Sequence, residues 1–248
     1  MAGIAIKNRG KSLILVHTVP ALVETFSELL SELAPDIPVR HVIRKELLEE
    51  ALDAGELTPE IRRRTSEALL EDSRSNAAVV LCTCSTVGPA AEDAAKQSSV
   101  PILRVDRPMA ESAVRIGTQI TVTATLLTTL RPTLELLADA ARNAGREVQL
   151  KPILFDDARA KLLAGDSDGY LAIVVDDLHQ AAQDADVIVL AQASMAPALE
   201  RCGDINVPIL TSPRMGVEAA IQTYRNVPPE FPPNTTNRPR DLVRPASS

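Results

Sequence analysis

The sequence predicts an α/β protein made of two pseudo-symmetric halves, each a roughly four-stranded parallel sheet flanked by helices. Three observations predict it. Short apolar runs alternate with segments of helical period, the pattern of a parallel sheet covered by helices. The chain is also written twice: "AAVVLCTCSTVGPAAE" from Ala77 lies over "ADVIVLAQASMAPALE" from Ala185. Finally, one offset serves separate blocks. "VPILRVDRPMAESA" from Val100 falls on "VPILTSPRMGVEAA" from Val207, and "HTVPALVETFSELL" from His17 on "ATLLTTLRPTLELL" from Ala124, always 107 or 108 positions away. A constant offset across three blocks marks a duplicated unit.

The elements follow in order. Runs of aliphatic and β-branched residues at 12–18, 39–43, 78–82 and 101–105 read as the strands of the first half. Runs at 118–125, 148–154, 186–190 and 208–211 read as those of the second. Helical period appears at 21–33, 59–72, 134–143 and 170–183, and helix formers follow the cysteine run near residue 84. The first half is read as 1–105 plus a returning helix at about 213–225, the second as 106–212. Residues 226–248 hold six of the eighteen prolines and no period of 2 or 3.6, so they read as a disordered or partner-bound arm. The Asn234 sequon in that arm is expected to be silent.

Composition excludes several functions. Aromatic residues are 2 % of the chain and Trp is absent, so base stacking has almost no side chains to use. A net charge of −7 argues against a phosphate-backbone partner, and no nucleic acid is expected. No apolar run is long enough for a signal peptide or a membrane span. Three cysteines and three histidines form neither a disulfide framework nor a zinc site, so no metal is expected, and reduced thiols point to the cytoplasm. There is no glycine-rich phosphate fingerprint, so no nucleotide cofactor is expected.

Ligands of open parallel sheets bind beyond the carboxyl ends of the strands. Those ends carry His17 and Thr18, then Cys84, Ser85 and Thr86, then Thr125, then Gln192 and Ser194. Each set precedes a helix start, where free N–H groups and hydroxyls favour a carboxylate. Cys84 is the candidate nucleophile or base, because a helix N-terminus can lower a thiol's pKa. Its bland alternative is a small buried hydrophobe. His17 is a conceivable second acid/base, or a hydrogen-bonded structural group. Ser85, Thr86, Thr125, Thr128 and Ser194 read as helix caps or ligand donors. Cys82 reads as core, Asp156 and Asp157 as a solvated helix start, and Arg107 with Arg214 as a structural pair repeated in both halves.

With the duplication and Cys84 in place, the chain resembles the aspartate/glutamate racemase superfamily over roughly residues 12 to 224. The carriers are "VVLCTCSTVG", "TVTATLLTTLRPT" and "VIVLAQASMA". The resemblance implies two flavodoxin-like halves with the active site between them, no cofactor, and one catalytic cysteine per half. "CST" at Cys84 looks like the first cysteine motif. The second departs: Gln192 stands where a cysteine is expected, and the repeat sets it opposite Cys84. A carboxamide cannot move a proton at neutral pH. The implied activity is a racemase, epimerase or cis–trans isomerase with a single thiol, acting beside a carboxylate or carbonyl of a small molecule. Thr18, Ser85, Thr86, Thr125, Gln192 and Ser194 would hold that group. A decarboxylase of the arylmalonate type and a non-catalytic carboxylate-binding protein are the alternatives. A homo-oligomer is compatible with all three.

Overall fold

The computed structural model describes residues 10–227. Among these, eight strands form two sheets: β1 (Ser12–His17), β2 (Val39–Ile43), β3 (Ala77–Cys82) and β4 (Ile102–Arg104), then β5 (Gln119–Ala124), β6 (Gln149–Leu154), β7 (Val187–Leu190) and β8 (Ile209–Thr211). The first sheet runs β2-β1-β3-β4 and the second β6-β5-β7-β8. Every pairing is parallel. The repeat in the sequence is thus a repeat of topology, and each predicted strand forms to within one residue at either end. β3 and β7 are buried along their whole length, because helices cover both faces of a parallel sheet. β6 is an exposed edge strand and tolerates Pro152, since no further strand needs its missing N–H.

The helices are α1 (Leu22–Leu33), α2 (Lys45–Asp53), α3 (Pro59–Ser73), α4 (Gly88–Ala95), α5 (Arg107–Ile116), α6 (Leu127–Asn143), α7 (Asp156–Leu163), α8 (Ser167–Ala181) and α9 (Ser212–Asn226), with a 3₁₀ segment at Ala193–Arg201. α3 starts where the sequence says it should. Thr58 caps it, accepting from the Ile61 N–H at 3.3 Å, and Pro59 fills its first turn. α6 corrects the reading from sequence: it begins at Leu127, not near 134. Pro132 sits in the second turn, where the helix loses one backbone N–H. The early start brings Thr128 and Thr129 to the end of β5.

Two helices change sides. α5 follows the first sheet, yet Met109, Ala110, Ala113 and Val114 pack with Ile120, Val122, Leu137 and Val189 of the second. α9 follows the second sheet, yet Val217, Ala220, Ile221 and Tyr224 pack with Leu13, Leu15, Phe26 and Leu81 of the first. The repeated arginines pin these helices. Arg107 on α5 bonds Glu92 and Asp139, and Arg214 on α9 meets Glu32 at 2.7 Å. Tyr224 donates its hydroxyl to the Lys11 carbonyl at 2.9 Å. α9 also crosses the chain at Val105 so closely that a Cβ on Gly216 would lie 2.6 Å from the Val105 carbonyl oxygen. No described helix is long and apolar enough to cross a membrane. The predicted arm and its Asn234 lie, from residue 228, outside the described residues.

Because the obstacle at Gly216 is backbone, Gly216→Ala should force α9 away from the first sheet. The expected loss is about 1–3 kcal/mol of unfolding free energy, the usual range for overpacking, measured by urea denaturation. An unchanged midpoint would contradict this contact.

Candidate active site

The parallel strands end on one side of each sheet, and the predicted residues lie in the turns that follow. After β3 the chain turns through Thr83, Cys84, Ser85, Thr86 and Val87 into α4. Cys84 is 9 % exposed. Facing its sulfur are the N–H groups of Thr86 and Val87 and the hydroxyls of Thr18 and Thr86, all of which favour the thiolate. The Thr18 hydroxyl is buried with no bonded partner: it stands near the sulfur without a formed hydrogen bond. Burial nevertheless outweighs these groups and raises the Cys84 pKa above its ordinary value. This corrects the expectation of a thiol activated by the helix end alone. α4 has eight residues, and its Gly88 and Ala90 N–H groups already donate to Ser85 and Val87 carbonyls at 3.1 and 3.0 Å. Cys82 is core, as expected, and burial pushes its thiol up to about 12.

Beneath this turn lies a buried ion pair. Arg104 bonds Asp106 at 2.7 and 3.0 Å, and both side chains are almost wholly enclosed. The guanidinium lies against the backbone of Gly88, where a Cβ would come within 2.6 Å of it. The glycine of "CSTVG" therefore admits the ion pair under the thiol turn.

The second half repeats the arrangement with other atoms. Thr125, the counterpart of Thr18, donates its N–H to Gln192 Oε1 at 2.5 Å and its hydroxyl to the same oxygen at 3.0 Å. Gln192 is the counterpart of Cys84. Ser194 follows it and meets the Tyr170 hydroxyl at 3.2 Å. Tyr170 is 2 % exposed, and burial raises its pKa while Ser194 and Thr125 oppose the rise. One bond joins the two sets: Thr86 Oγ1 and Thr129 Oγ1 are 2.8 Å apart. The structure thus brings Thr18, Cys84, Ser85 and Thr86 together, and Thr125, Gln192 and Ser194 together, and ties the groups through Thr86.

His17 is not with them. It is 0 % exposed, and both ring nitrogens are engaged inside the first half. Nδ1 lies 2.9 Å from Thr83 Oγ1 and Nε2 lies 2.8 Å from His41 Nδ1, while His41 Nε2 lies 3.1 Å from Ser27 Oγ. The chain ends on two hydroxyls, Ser27 beside the Val23 carbonyl at 2.7 Å and Thr83 beside the Val16 carbonyl at 3.1 Å, and each bond between the rings needs only one proton, so both imidazoles are neutral. Burial and the His41 charge lower the His17 pKa to about 4. The expectation of His17 as a second acid/base is corrected: its nitrogens are spent holding β1, β2 and the Cys84 turn together.

Reading the sequence missed Tyr170, Thr129 and His41. Tyr170 carried a signal, as one of two tyrosines in a chain almost without aromatics, since a buried phenol needs a polar partner. Thr129 lies before the helical period read at 134–143. Asp156 and Asp157 are the exposed first turn of α7, as read. Cys202 is buried away from the site, with Tyr170 and Met195 in the second core. Among the described residues no cluster could hold a metal ion.

The family model described as Asp/Glu/Hydantoin racemase matches residues 13–220. No curated protein matches the chain. Among solved structures, a glutamate racemase from Bacillus anthracis is 15 % identical, with 88 % of this chain and 84 % of that one aligned at a TM-score of 0.68. An aspartate racemase from Picrophilus torridus is 13 % identical, covering 87 % and 94 %, with a TM-score of 0.65. An arylmalonate decarboxylase is 17 % identical, covering 86 % and 92 %, with a TM-score of 0.51. At such identities these structures show a shared two-sheet α/β fold.

The neutral His17–His41 pair makes stability depend on pH in a definite direction. Above pH 6.5 both folded and unfolded states leave His17 neutral, and its contribution is fully present. Between about 6.5 and 4 only the unfolded chain takes up the proton, so stability falls as pH falls. Wild type should take up as much as one more proton on unfolding than His17→Gln in that window, a slope difference of about 1.4 kcal/mol per pH unit. Urea titrations at stepped pH measure it, and equal slopes would place His17 in solvent.

Proposed function

We propose, for a chain that belongs to the Asp/Glu/hydantoin racemase family, a cofactor-independent enzyme of racemase or isomerase type. It acts on the carbon beside a carboxylate or carbonyl of a small molecule and uses the single thiol of Cys84. The observation that carries this reading is the pairing of Thr18 and Cys84 in one half with Thr125 and Gln192 in the other, joined through Thr86 and Thr129.

The chemistry follows from the donors present. The Cys84 thiolate takes the proton from the α-carbon, and the electron pair left behind delocalises onto the neighbouring carboxylate or carbonyl oxygens. The N–H groups of Thr86 and Val87, the hydroxyls of Thr18, Ser85 and Ser194, and the Gln192 amide N–H groups stabilise the developing oxyanion, while Thr125 holds the Gln192 oxygen. Return of a proton to the same face restores the substrate. Delivery to the opposite face inverts it. Gln192 cannot supply that second proton and His17 is turned away, so water supplies it, and the hydroxide left behind takes the proton held by Cys84 and restores the thiolate. Nucleophilic attack by Cys84 on an unsaturated substrate is the variant for a cis–trans isomerase. The Arg104–Asp106 pair and the His17–Thr83 bond fix the turn that aims the sulfur. Three free thiols support a reducing compartment such as the cytoplasm.

The thiol must ionise before it acts, and burial raises its pKa above the ordinary thiol value. Turnover should therefore climb with pH from neutrality through the alkaline range. Incubation in D₂O with a panel of small α-substituted carboxylates, followed by proton NMR, should show α-proton exchange without CO₂ release. Cys84→Ala should reduce the rate by about 10²–10⁴-fold, the usual worth of a positioned acid/base. CO₂ release would make the enzyme a lyase, binding with neither reaction would make it a sensor, and full activity in Cys84→Ala would end the proposal.

A further inference from the structure

The Gln192 side chain has a chemically fixed orientation. A backbone N–H can only donate, so the amide atom 2.5 Å from Thr125 N must be the oxygen. The Thr125 hydroxyl adds a second bond to the same atom. Oε1 is therefore saturated, and the amide cannot flip. What Gln192 has left to offer is its Nε2 group, two N–H donors, on a half-buried side chain. Ser194 beside it has an acceptor already near the Tyr170 hydroxyl.

The charges around the strand ends are equally constrained. Asp106, after β4, is spent on Arg104, and Arg44, after β2, meets Asp72 at 2.8 Å. Arg107 and Arg214, after β4 and β8, are paired with Glu92, Asp139 and Glu32. After β1, β3, β5 and β7, the strands that carry the candidate site, the turns hold no carboxylate at all, only Thr, Ser, Cys and Gln beside aliphatic residues. Val19 and Leu127, next to Thr18 and Thr125, are 36 % and 44 % exposed. Such a site can donate to oxygen and can cover an apolar group. The carboxylates after β6, Asp156 and Asp157, are exposed in the first turn of α7, and the turns after β1, β3, β5 and β7 themselves have nothing with which to neutralise an ammonium group.

We infer that Gln192 is the specificity-determining residue of the second half, a locked donor that selects a carboxylate whose α-substituents are uncharged and apolar, and that a free zwitterionic amino acid is not the substrate. This rests on the proposed reading that Cys84 and Gln192 share one cleft. It does not rest on turnover, so it is tested with alkylating probes.

Iodoacetate and iodoacetamide differ only in the carboxylate. Each alkylates Cys84 with loss of iodide and release of the thiol proton to solvent. With free cysteine as the reference, the iodoacetate-to-iodoacetamide rate ratio at Cys84, read by mass spectrometry, should be about tenfold higher, the worth of one hydrogen bond to a charged group. Gln192→Glu keeps an acceptor for Thr125 but turns a negative oxygen to the cleft. Its melting temperature should stay near wild type while the ratio falls below that of free cysteine. Butyrate should slow the alkylation of wild type, and 2-aminobutyrate should not. A wild-type ratio equal to that of free cysteine, a ratio unmoved by Gln192→Glu, or stronger protection by 2-aminobutyrate would each overturn the inference. If the ratios behave as stated while no α-proton exchange is found, the selectivity stands and the catalytic reading falls.

Discussion

A parallel sheet has to be covered on both faces, and each sheet of this chain takes one of its covering helices from the other half. α5 leaves the first sheet to complete the core of the second, and α9 returns to complete the first. Neither half can bury its strands alone. The exchange therefore fixes how the two sets of strand ends stand relative to each other, and the site follows from that. Gly216 is where the exchange is tightest, since α9 rests directly on the Val105 backbone. Arg107 and Arg214, repeated in the sequence, are the polar ties of the same exchange rather than ligands for a substrate.

The duplicated fold carries an unsymmetrical candidate site. In one half a threonine hydroxyl stands beside a sulfur. In the other, its counterpart grips a carboxamide oxygen through two bonds. The first arrangement can hold or release a proton, and the second can only donate hydrogen bonds. Burial keeps Cys84 protonated near neutrality in the free protein, against the pull of the surrounding N–H groups. The Arg104–Asp106 pair below and the His17–His41 chain beside it are both internal and satisfied. They hold the turn without adding net charge to it.

Much of this was legible in the sequence. All eight strands were marked by short aliphatic runs, and the repeat aligns Gln192 with Cys84. The fate of side chains was less legible. His17 lies at a strand end, as a catalytic histidine would, and only the fold shows that His41 on the neighbouring strand claims its ring. The helical period at 134–143 missed the first two turns of α6, where Pro132 costs the helix one backbone N–H. Tyr170 lies 24 residues before Ser194, and its hydroxyl reaches it only after α8 packs against β7. Burial also decided the Cys84 thiol, and burial is a property of the whole fold.

The central claim is that Cys84 and Gln192 face each other across one small cleft. The direct measurement is cross-linking in Gln192→Cys with a short bifunctional thiol reagent that fluoresces only after both ends have reacted. The account predicts a fluorescent intramolecular link between residues 84 and 192, located by peptide mapping, and its absence in wild type and in Gln192→Cys carrying Cys84→Ala. Single labelling of both thiols with no link between them would contradict it.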